Sequence, residues 1–406
     1  MKRNVLITGI LLSILLSCEH KENRNHSDGI NVEYGLQNLS RLKVSDFGKS
    51  IRYIPLETTD KGLVGRDPVL KVLKNYIVTE SQNSCLLFDK KDGRFVAEIG
   101  RVGQGPNEYS DIFSWVDEKE DFLYFKRRPD QLIKYDMKGI FCGKLEFPTP
   151  PGLASWYLIT DSEIIGYFNE LGQTHQIALA FYDKAGLLND TIPVLFPKTG
   201  IISDEILNIS VLRNWSGMGG VIFFSFKNGT KSIHAVNPSR IWKYNGKIRF
   251  KEDFVDTIYT VSNKQLTPSI IFNTGKYHWP VEERNSVQNT NERIYITDVS
   301  ENETFIFFKC VRGLYSGEPV LYLGLYNKKS GETKISKTSD AINDDLTHFM
   351  PLISFSMSTS GEFVSIVESY KIMEWLEEHP EAKNNDKLSF LKDLDDEMNP
   401  VVVLVE

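Results

Sequence analysis

The stretch Arg101-Val102-Gly103-Gln104-Gly105-Pro106-Asn107-Glu108-Tyr109 is the richest in groups able to handle a ligand. Glycines at 103 and 105 would let backbone N–H groups approach a bound molecule. Arg101, Gln104, Glu108 and Tyr109 add charge, hydrogen bonds and a stacking face, so the stretch reads as a polar rim for a small or extended ligand. The competing reading is a structural turn in which Arg101 pairs with Glu108. A phosphate-binding loop is not indicated, since no Lys-Ser/Thr follows the glycines. Ser114-Trp115 and Ser155-Trp156 open two strand-like runs in the same way, which makes both tryptophans candidates for stacking on a sugar or peptide, with packing between sheets as the alternative. Catalytic constellations are thin. His20, His26, His175, His234, His278, His348 and His379 are scattered without metal-ligand spacing. Ser216 lacks the G-x-S-x-G frame of a nucleophile elbow. Asp89-Lys90-Lys91-Asp92-Gly93 lacks the third ligand position and the distal Glu of a calcium loop. Cys85, Cys142 and Cys310 lie in mostly apolar runs and read as buried thiols. The expectation is no catalytic residue, no metal and no cofactor.

A fourth cysteine has a different context. Lys2 and Arg3 precede the apolar run Val5 to Leu16, which ends in Leu15-Leu16-Ser17-Cys18. Such a run is too short for a stable membrane span and fits the core of a signal peptide. Its ending resembles the bacterial lipobox, which implies cleavage before Cys18, lipidation of that cysteine and a bilayer partner. Glu19 is not the aspartate that commonly retains such proteins at the inner membrane, so an outer-membrane lipoprotein, facing the periplasm or the outside, is expected. The polar residues after it suggest a flexible tether over 18–48.

The elements that must position these groups follow from composition and repeat. The chain has 406 residues, 41% hydrophobic and 25% charged, which excludes disorder and a multi-span membrane protein. With 47 Lys+Arg against 54 Asp+Glu, the net charge of minus 7 gives no reason to expect nucleic acid as a partner. Removal of residues 1–17 would leave 45 against 54, or minus 9. From about 50 to 370, short runs of Val, Ile, Phe and Tyr are broken by Gly, Asn or Asp. Asp89, Asp136 and Asp183, 47 residues apart, each follow a strand-like run and precede a glycine-ended turn; Asn327 repeats the form. A period near 47 with about four strands per period predicts an all-β fold, a six-bladed β-propeller over 49–406. Ile51 to Glu57 and Val401 to Val405 would join the two ends of the chain in one blade. A helical insertion is expected over about 370–398, with Asp393, Asp395, Asp396 and Glu397 on its solvated side, and an extra hairpin within 195–275.

Three stretches, Ile51-Arg52-Tyr53-Ile54-Pro55-Leu56-Glu57-Thr58, Ile99 to Tyr109, and Asp256-Thr257-Ile258-Tyr259, resemble the six-bladed propeller lipoproteins of gut anaerobes, a group related in architecture to NHL-repeat propellers. The resemblance implies a binding or interaction protein and supplies no catalytic residues. The functional expectation is a membrane-anchored propeller that binds a glycan, peptide or envelope protein on one face. A lyase or hydrolase at the channel mouth and a scaffold subunit of an outer-membrane assembly are the alternatives.

Overall fold

The computed structural model describes residues 29–81, 84–168, 176–196, 205–212, 221–235, 240–353 and 355–406. Cys18, the apolar run before it, His175, Trp215 and Ser216 lie outside the described residues. The described chain is all-β and propeller-like. Six sheets each contain four antiparallel strands, successive in the chain in all but one. Sheet I comprises Val69–Val72, Tyr76–Ser81, Ser84–Asp89 and Phe95–Glu98, and sheet II comprises Ser114–Val116, Phe122–Arg127, Gln131–Asp136 and Phe141–Glu146. Sheet III holds Trp156–Ile159, Ile164–Tyr167, Ile177–Tyr182 and Leu188–Pro193; sheet IV holds Ile241–Tyr244, Lys247–Phe250, Thr257–Ser262 and Gln265–Asn273. Sheet V holds Ile294–Glu301, Phe305–Arg312, Val320–Asn327 and Thr333–Lys337. Sheet VI takes Ser356–Met357, Phe363–Val367 and Val401–Val405 from the end of the chain and Ile51–Pro55 from its beginning.

Alternation within strands explains how the sheets stack. In Val401–Val405 every residue is buried. Val402 and Leu404 face sheet I with Ile77 and Phe88, whereas Val401, Val403 and Val405 face sheet V and the helical insertion with Leu323, Leu325 and Ile372. Equivalent apolar layers join I to II, II to III, III to IV and IV to V. Strands with both faces covered read as continuous apolar runs, which is why the middle strands carry so few charges.

The repeated Asp-to-Gly turns have two functions. The carboxylate oxygens of Asp89, Asp136 and Asp183 accept the amides of Lys91 (2.7 Å), Lys138 (2.9 Å) and Ala185 (2.8 Å), and Asn327 accepts Lys329 N–H at 2.9 Å. Gly93, Gly139 and Gly186 have positive φ, and a Cβ there would strike the carbonyls of Pro55, Glu98 and Glu146 respectively. Each of those carbonyls belongs to the outer strand of the preceding sheet. The glycine thus allows the turn and seats one sheet against the last.

Two departures from expectation concern the ends and the third link. Residues 29–48 are not tether: Gly29–Asn31 adds a parallel strand to the outer edge of sheet IV, Val32–Gln37 forms a short helix, and Ile30, Val32, Leu42 and Val44 are fully buried. Their apolar side chains cover the outer edges of sheets IV and V. The chain linking sheet III to sheet IV forms a three-stranded sheet, Ile206–Leu212, Val221–Phe226 and Lys231–Ala235, rather than one hairpin. The insertion within sheet VI contains the helix Ser369–Glu378 and 3-10 turns over Pro380–Asn384 and Asp386–Lys392.

Candidate functional site

Antiparallel order sorts the connections into two ends. One end carries the turns between first and second and between third and fourth strands; the other carries every link between sheets and the loops between second and third strands. At the first end, Glu118 accepts Asp161 N–H of sheet III at 3.2 Å and pairs with Lys243 of sheet IV, while Glu120 accepts Lys74 N–H of sheet I at 2.6 Å and the Thr359 hydroxyl of the first turn of sheet VI. Two acids of one turn in sheet II therefore tie it to the non-adjacent sheets IV and VI as well as to I and III. Asn302 Nδ2 donates to Gly361 O at 2.9 Å and Thr359 N to Val72 O at 3.0 Å, linking V to VI and VI to I. The second end, with the longer connections, holds the candidate site.

The link from sheet I to sheet II is a folded turn with a charged cap. Arg101 Nε donates to Glu108 Oε1 at 2.5 Å, and the second carboxylate oxygen accepts Gly105 N–H at 2.7 Å. These bonds, first the Gly105 amide and then Arg101, hold the Glu108 carboxyl below the usual carboxylate range. The glycines make room for Glu108, since a Cβ on Gly103 would collide with its carboxylate. Arg127 Nη1 donates to Gly105 O at 2.6 Å and also reaches Pro106 O, and the Tyr135 hydroxyl meets Asn107 O. Tyr109 does not offer a stacking face. It is fully buried, its ring lies parallel to Phe125 at 4.2 Å, and its hydroxyl donates to Ile99 O at 2.9 Å. Arg101, with 76% of its side chain exposed, and Gln104 are presented outward, as are Pro106 and Asn107 of the same link.

Trp115 is likewise packed rather than presented, 5% exposed, edge-on to Trp156 at 6.1 Å and to Tyr157 at 5.1 Å. Lys126 sits over its ring at 5.3 Å and reaches Ser155 O at 3.4 Å. Trp156, half-buried, brings together the second and third sheets at this end. Trp279 is buried against Phe254 and Tyr315, and Cys142 is an exposed thiol where a buried one was expected; Cys85 and Cys310 are buried, and burial raises the pKa of both. Asp393, Asp395, Asp396 and Glu397 are exposed. No group of acids, histidines and cysteines among the described residues is arranged to hold a metal ion.

Sequence spacing did not reveal two polar clusters in the same half of the molecule. Glu80, on the second strand of sheet I, is buried; it pairs with Lys71 and accepts Ser114 N–H at 2.9 Å and the Ser114 hydroxyl. Its Oε2 is buried without a hydrogen-bond partner among the described residues. The second cluster lies where sheets IV and V meet. Arg240 pairs with Asp253, donates to Thr297 O at 2.7 Å and meets the Tyr295 hydroxyl at 3.1 Å, while that hydroxyl donates to Asp253 at 2.6 Å. Burial is the largest influence and opposes the charge on Arg240, but Asp253 together with Tyr295, Tyr167 and Asp298 outweighs it, and the guanidinium is held above its ordinary pKa. Beside it Lys251, 2% exposed, donates to Glu252 O and Ile296 O, both at 3.3 Å. Burial, reinforced by Arg240, lowers its pKa to about 8. The loop holding these residues includes Phe254 at φ 59°, stacked on Tyr295 at 4.4 Å. A non-glycine residue in the left-handed region marks a backbone held by its surroundings. Asp256, at the end of the loop, accepts the Thr274 hydroxyl at 2.7 Å and faces His278 Nδ1 at 2.9 Å, a contact that raises the imidazole pKa.

A profile described as Domain of unknown function (DUF4934) matches residues 27–406. The chain belongs to that family. The DUF4934 match begins two residues before the first buried strand and thus includes residues 29–48 in the folded unit. No curated protein matches the chain. Among solved structures, it is similar to a putative exported protein from Bacteroides fragilis, with TM-score 0.60 at 18% identity over 91% of this chain and 99% of that one. It is also matched to the WD40 repeats of RRP9, with TM-score 0.40 at 10% identity over 90% and 99% of the two chains. A third match, TM-score 0.37 and 13% identity over 78% of this chain and 41% of the other, is the extracellular domain of a putative hybrid two-component system from B. thetaiotaomicron. In the DUF4934 chain all three stretches singled out from the sequence are placed in the folded unit. Ile51–Pro55 pairs with Val401–Val405, the Arg101 turn joins sheets I and II, and Asp256 anchors His278. Among the described residues no helix is long and apolar enough to cross a membrane.

Proposed function

We propose that this DUF4934 protein is a lipid-anchored, six-bladed propeller of the cell envelope that binds a glycan, peptide or partner protein at the end carrying its sheet-to-sheet links, without chemistry of its own. The carrying observation is the asymmetry of the two ends. One is laced between non-adjacent sheets by Glu118 and Glu120, and the other gathers the Arg101 turn, the inserted sheet and the helical insertion. Arg101, Gln104 and Trp156 supply charge, hydrogen bonds and an aromatic surface there; Glu108 orients Arg101, and Tyr109 and Trp115 support the turn and the tryptophan from below. Binding surfaces on propellers are made of such loops on a rigid ring. The six apolar layers between consecutive sheets, the last of them between VI and I, support a closed ring, and the pairing of Ile51–Pro55 with Val401–Val405 would close it. The lipid anchor rests on Lys2, Arg3, the apolar run and Cys18.

Replacing Arg101 and Trp156 together by Ala should weaken binding at least tenfold, or about 1.4 kcal/mol, on an array of glycans and peptides, with the thermal midpoint little changed. Unaltered affinity for every ligand retained by the wild type would refute the rim. For the anchor, the mature N-terminus isolated from membranes should be a lipidated Cys18. An intact Met1 or an unmodified cysteine would refute that part.

A further inference from the structure

The first strand of the inserted sheet, Ile206–Leu212, is the edge of its sheet and is exposed at all seven positions. Five of the seven are large and apolar: Ile206, Leu207, Ile209, Val211 and Leu212, with Leu207 at 67% and Val211 at 58% exposure. In the ladder Ile209 faces Phe224 and Val211 faces Ile222. These four share one side of the sheet. The other side, through Val221, packs on Trp279, Tyr295 and Val311. The outward side is thus an apolar surface bordered by a row of backbone donors and acceptors to which no strand pairs among the described residues, about 23 Å long at ~3.3 Å per residue. Edge strands that stay single are usually blunted by a charge or a proline. This one has neither.

We propose that this edge is an interface with a second copy of the chain, the two strands running antiparallel about a two-fold axis at Ile209 and joining the inserted sheets into one of six strands. The argument is the order of residue types. Read in either direction from Ile209, the strand is chemically the same: Asn208 and Ser210 are polar, Leu207 and Val211 aliphatic, Ile206 and Leu212 aliphatic. An isologous antiparallel pair places residue i opposite its mirror position. Ile209 then meets Ile209, Leu207 meets Val211, and Asn208 meets Ser210, so every cross-strand pair is matched in polarity. The register irregularity lies between Ile206 and Asn208, at one end of the strand, and leaves the ladder from Asn208 to Leu212 regular. A lipid surface could cover the aliphatic side chains but would leave the edge N–H and C=O groups without partners. A strand satisfies both. An unrelated protein strand would satisfy them without any need for symmetry. The inference is independent of the rim ligand.

The test uses the mature chain with Cys18 and Cys142 replaced by Ser, so that no exposed or lipid-bearing thiol interferes. Light scattering should give twice the chain mass for this protein and the single-chain mass for Ile209→Lys, which sets two like charges opposite each other, with circular dichroism unchanged. Under mild oxidation Ile209→Cys should cross-link into a covalent dimer. Val211→Cys should not, because two copies of residue 211 would lie about 13 Å apart along the strands, beyond the reach of a disulfide. A wild-type chain that stays single at the highest soluble concentration overturns the proposal. So does cross-linking at 211 in preference to 209, or flotation of single chains with phosphatidylethanolamine–phosphatidylglycerol vesicles that Ile209→Lys abolishes. If Ile209→Lys fails to fold, the pattern of cross-linking between 209 and 211 decides.

Discussion

Asp253→Ala is expected to destabilise the fold by about 3–5 kcal/mol, in the range found for breaking a buried ion pair. The side chains of Arg240 and Asp253 are 4% and 10% exposed, so the guanidinium left behind has no route to bulk water. Its bonds to Thr297 O and the Tyr295 hydroxyl would remain, but neither supplies a negative charge, and Tyr295 would lose the acceptor for its own proton. The loss therefore combines an unpaired charge with an unsatisfied hydroxyl. Arg240→Met alone should also be damaging, because it removes the cation facing the buried Asp253 carboxylate and leaves the Tyr295 hydroxyl to satisfy it without a compensating charge. The double variant should recover much of the loss, since two neutral side chains have no charge to desolvate. A double-mutant cycle by chemical denaturation measures this directly. Additive effects of the two single changes would mean that the pair does not act as a unit and that its contribution has been misassigned.

The parts of this fold legible in the sequence were those in which local chemistry repeats. Asp89, Asp136 and Asp183 recur because the same side-chain-capped turn is used three times, and the glycine after each is required by both its φ and its contact with the preceding sheet. Val401 to Val405 announced a strand covered on both faces because nothing in it could face water. The start of the body was misread. Ile30, Val32, Leu42 and Val44 are spaced among polar residues without a helical or strand period, since they fill the outer edges of two different sheets.

The site was less legible than the fold. Gly103 and Gly105 suggested backbone open to a ligand, but the group they admit is the neighbouring Glu108; a glycine signals close approach without naming what approaches. The pairing of Arg101 with Glu108 could be weighed from spacing, whereas burial of Tyr109 depends on Phe125 and Tyr135 from sheet II. Arg240, Asp253 and Tyr295 lie on separate elements, and Glu80 reaches across to Ser114. No local pattern marks such a contact. The one available signal was the density of charge in Lys251-Glu252-Asp253, in a loop joining two strands of one sheet.

Lys251 makes the folded state sensitive to alkali in a direction opposite to that of its tyrosine neighbours. Its pKa is about 8 in the fold against an ordinary 10.5. Below pH 8 both states carry the proton, and the fold bears the cost of a buried ammonium. Between about 8 and 10.5 the unfolded chain holds a proton that the folded chain has released, so stability must rise with pH. The full difference amounts to about 3 kcal/mol at about 1.36 kcal/mol per pKa unit. Tyr295 and Tyr167, which burial holds protonated, act the other way above about pH 10, where an unfolded tyrosine ionises and a folded one does not. The thiols of Cys85 and Cys310, held protonated by burial, add to that fall from about pH 9, so the gain from Lys251 is read as the difference between the wild type and a variant without the amine. Lys251→Met keeps the length and apolar stem of the side chain and removes the proton. It forgoes the two bonds to Glu252 O and Ile296 O, neutral acceptors that a buried ammonium reaches only at 3.3 Å. Stability at pH 7 should consequently be equal to or above that of the wild type, and this advantage should shrink between pH 8 and 10 as the wild type releases the Lys251 proton, while the fall at higher pH persists in both. Denaturation at pH 7, 9 and 11 separates the two titrations. If the difference between wild type and variant stayed constant from pH 7 to 10, then Lys251 would be charged and compensated in the fold, and the cluster would hold a net cation at the meeting of sheets IV and V.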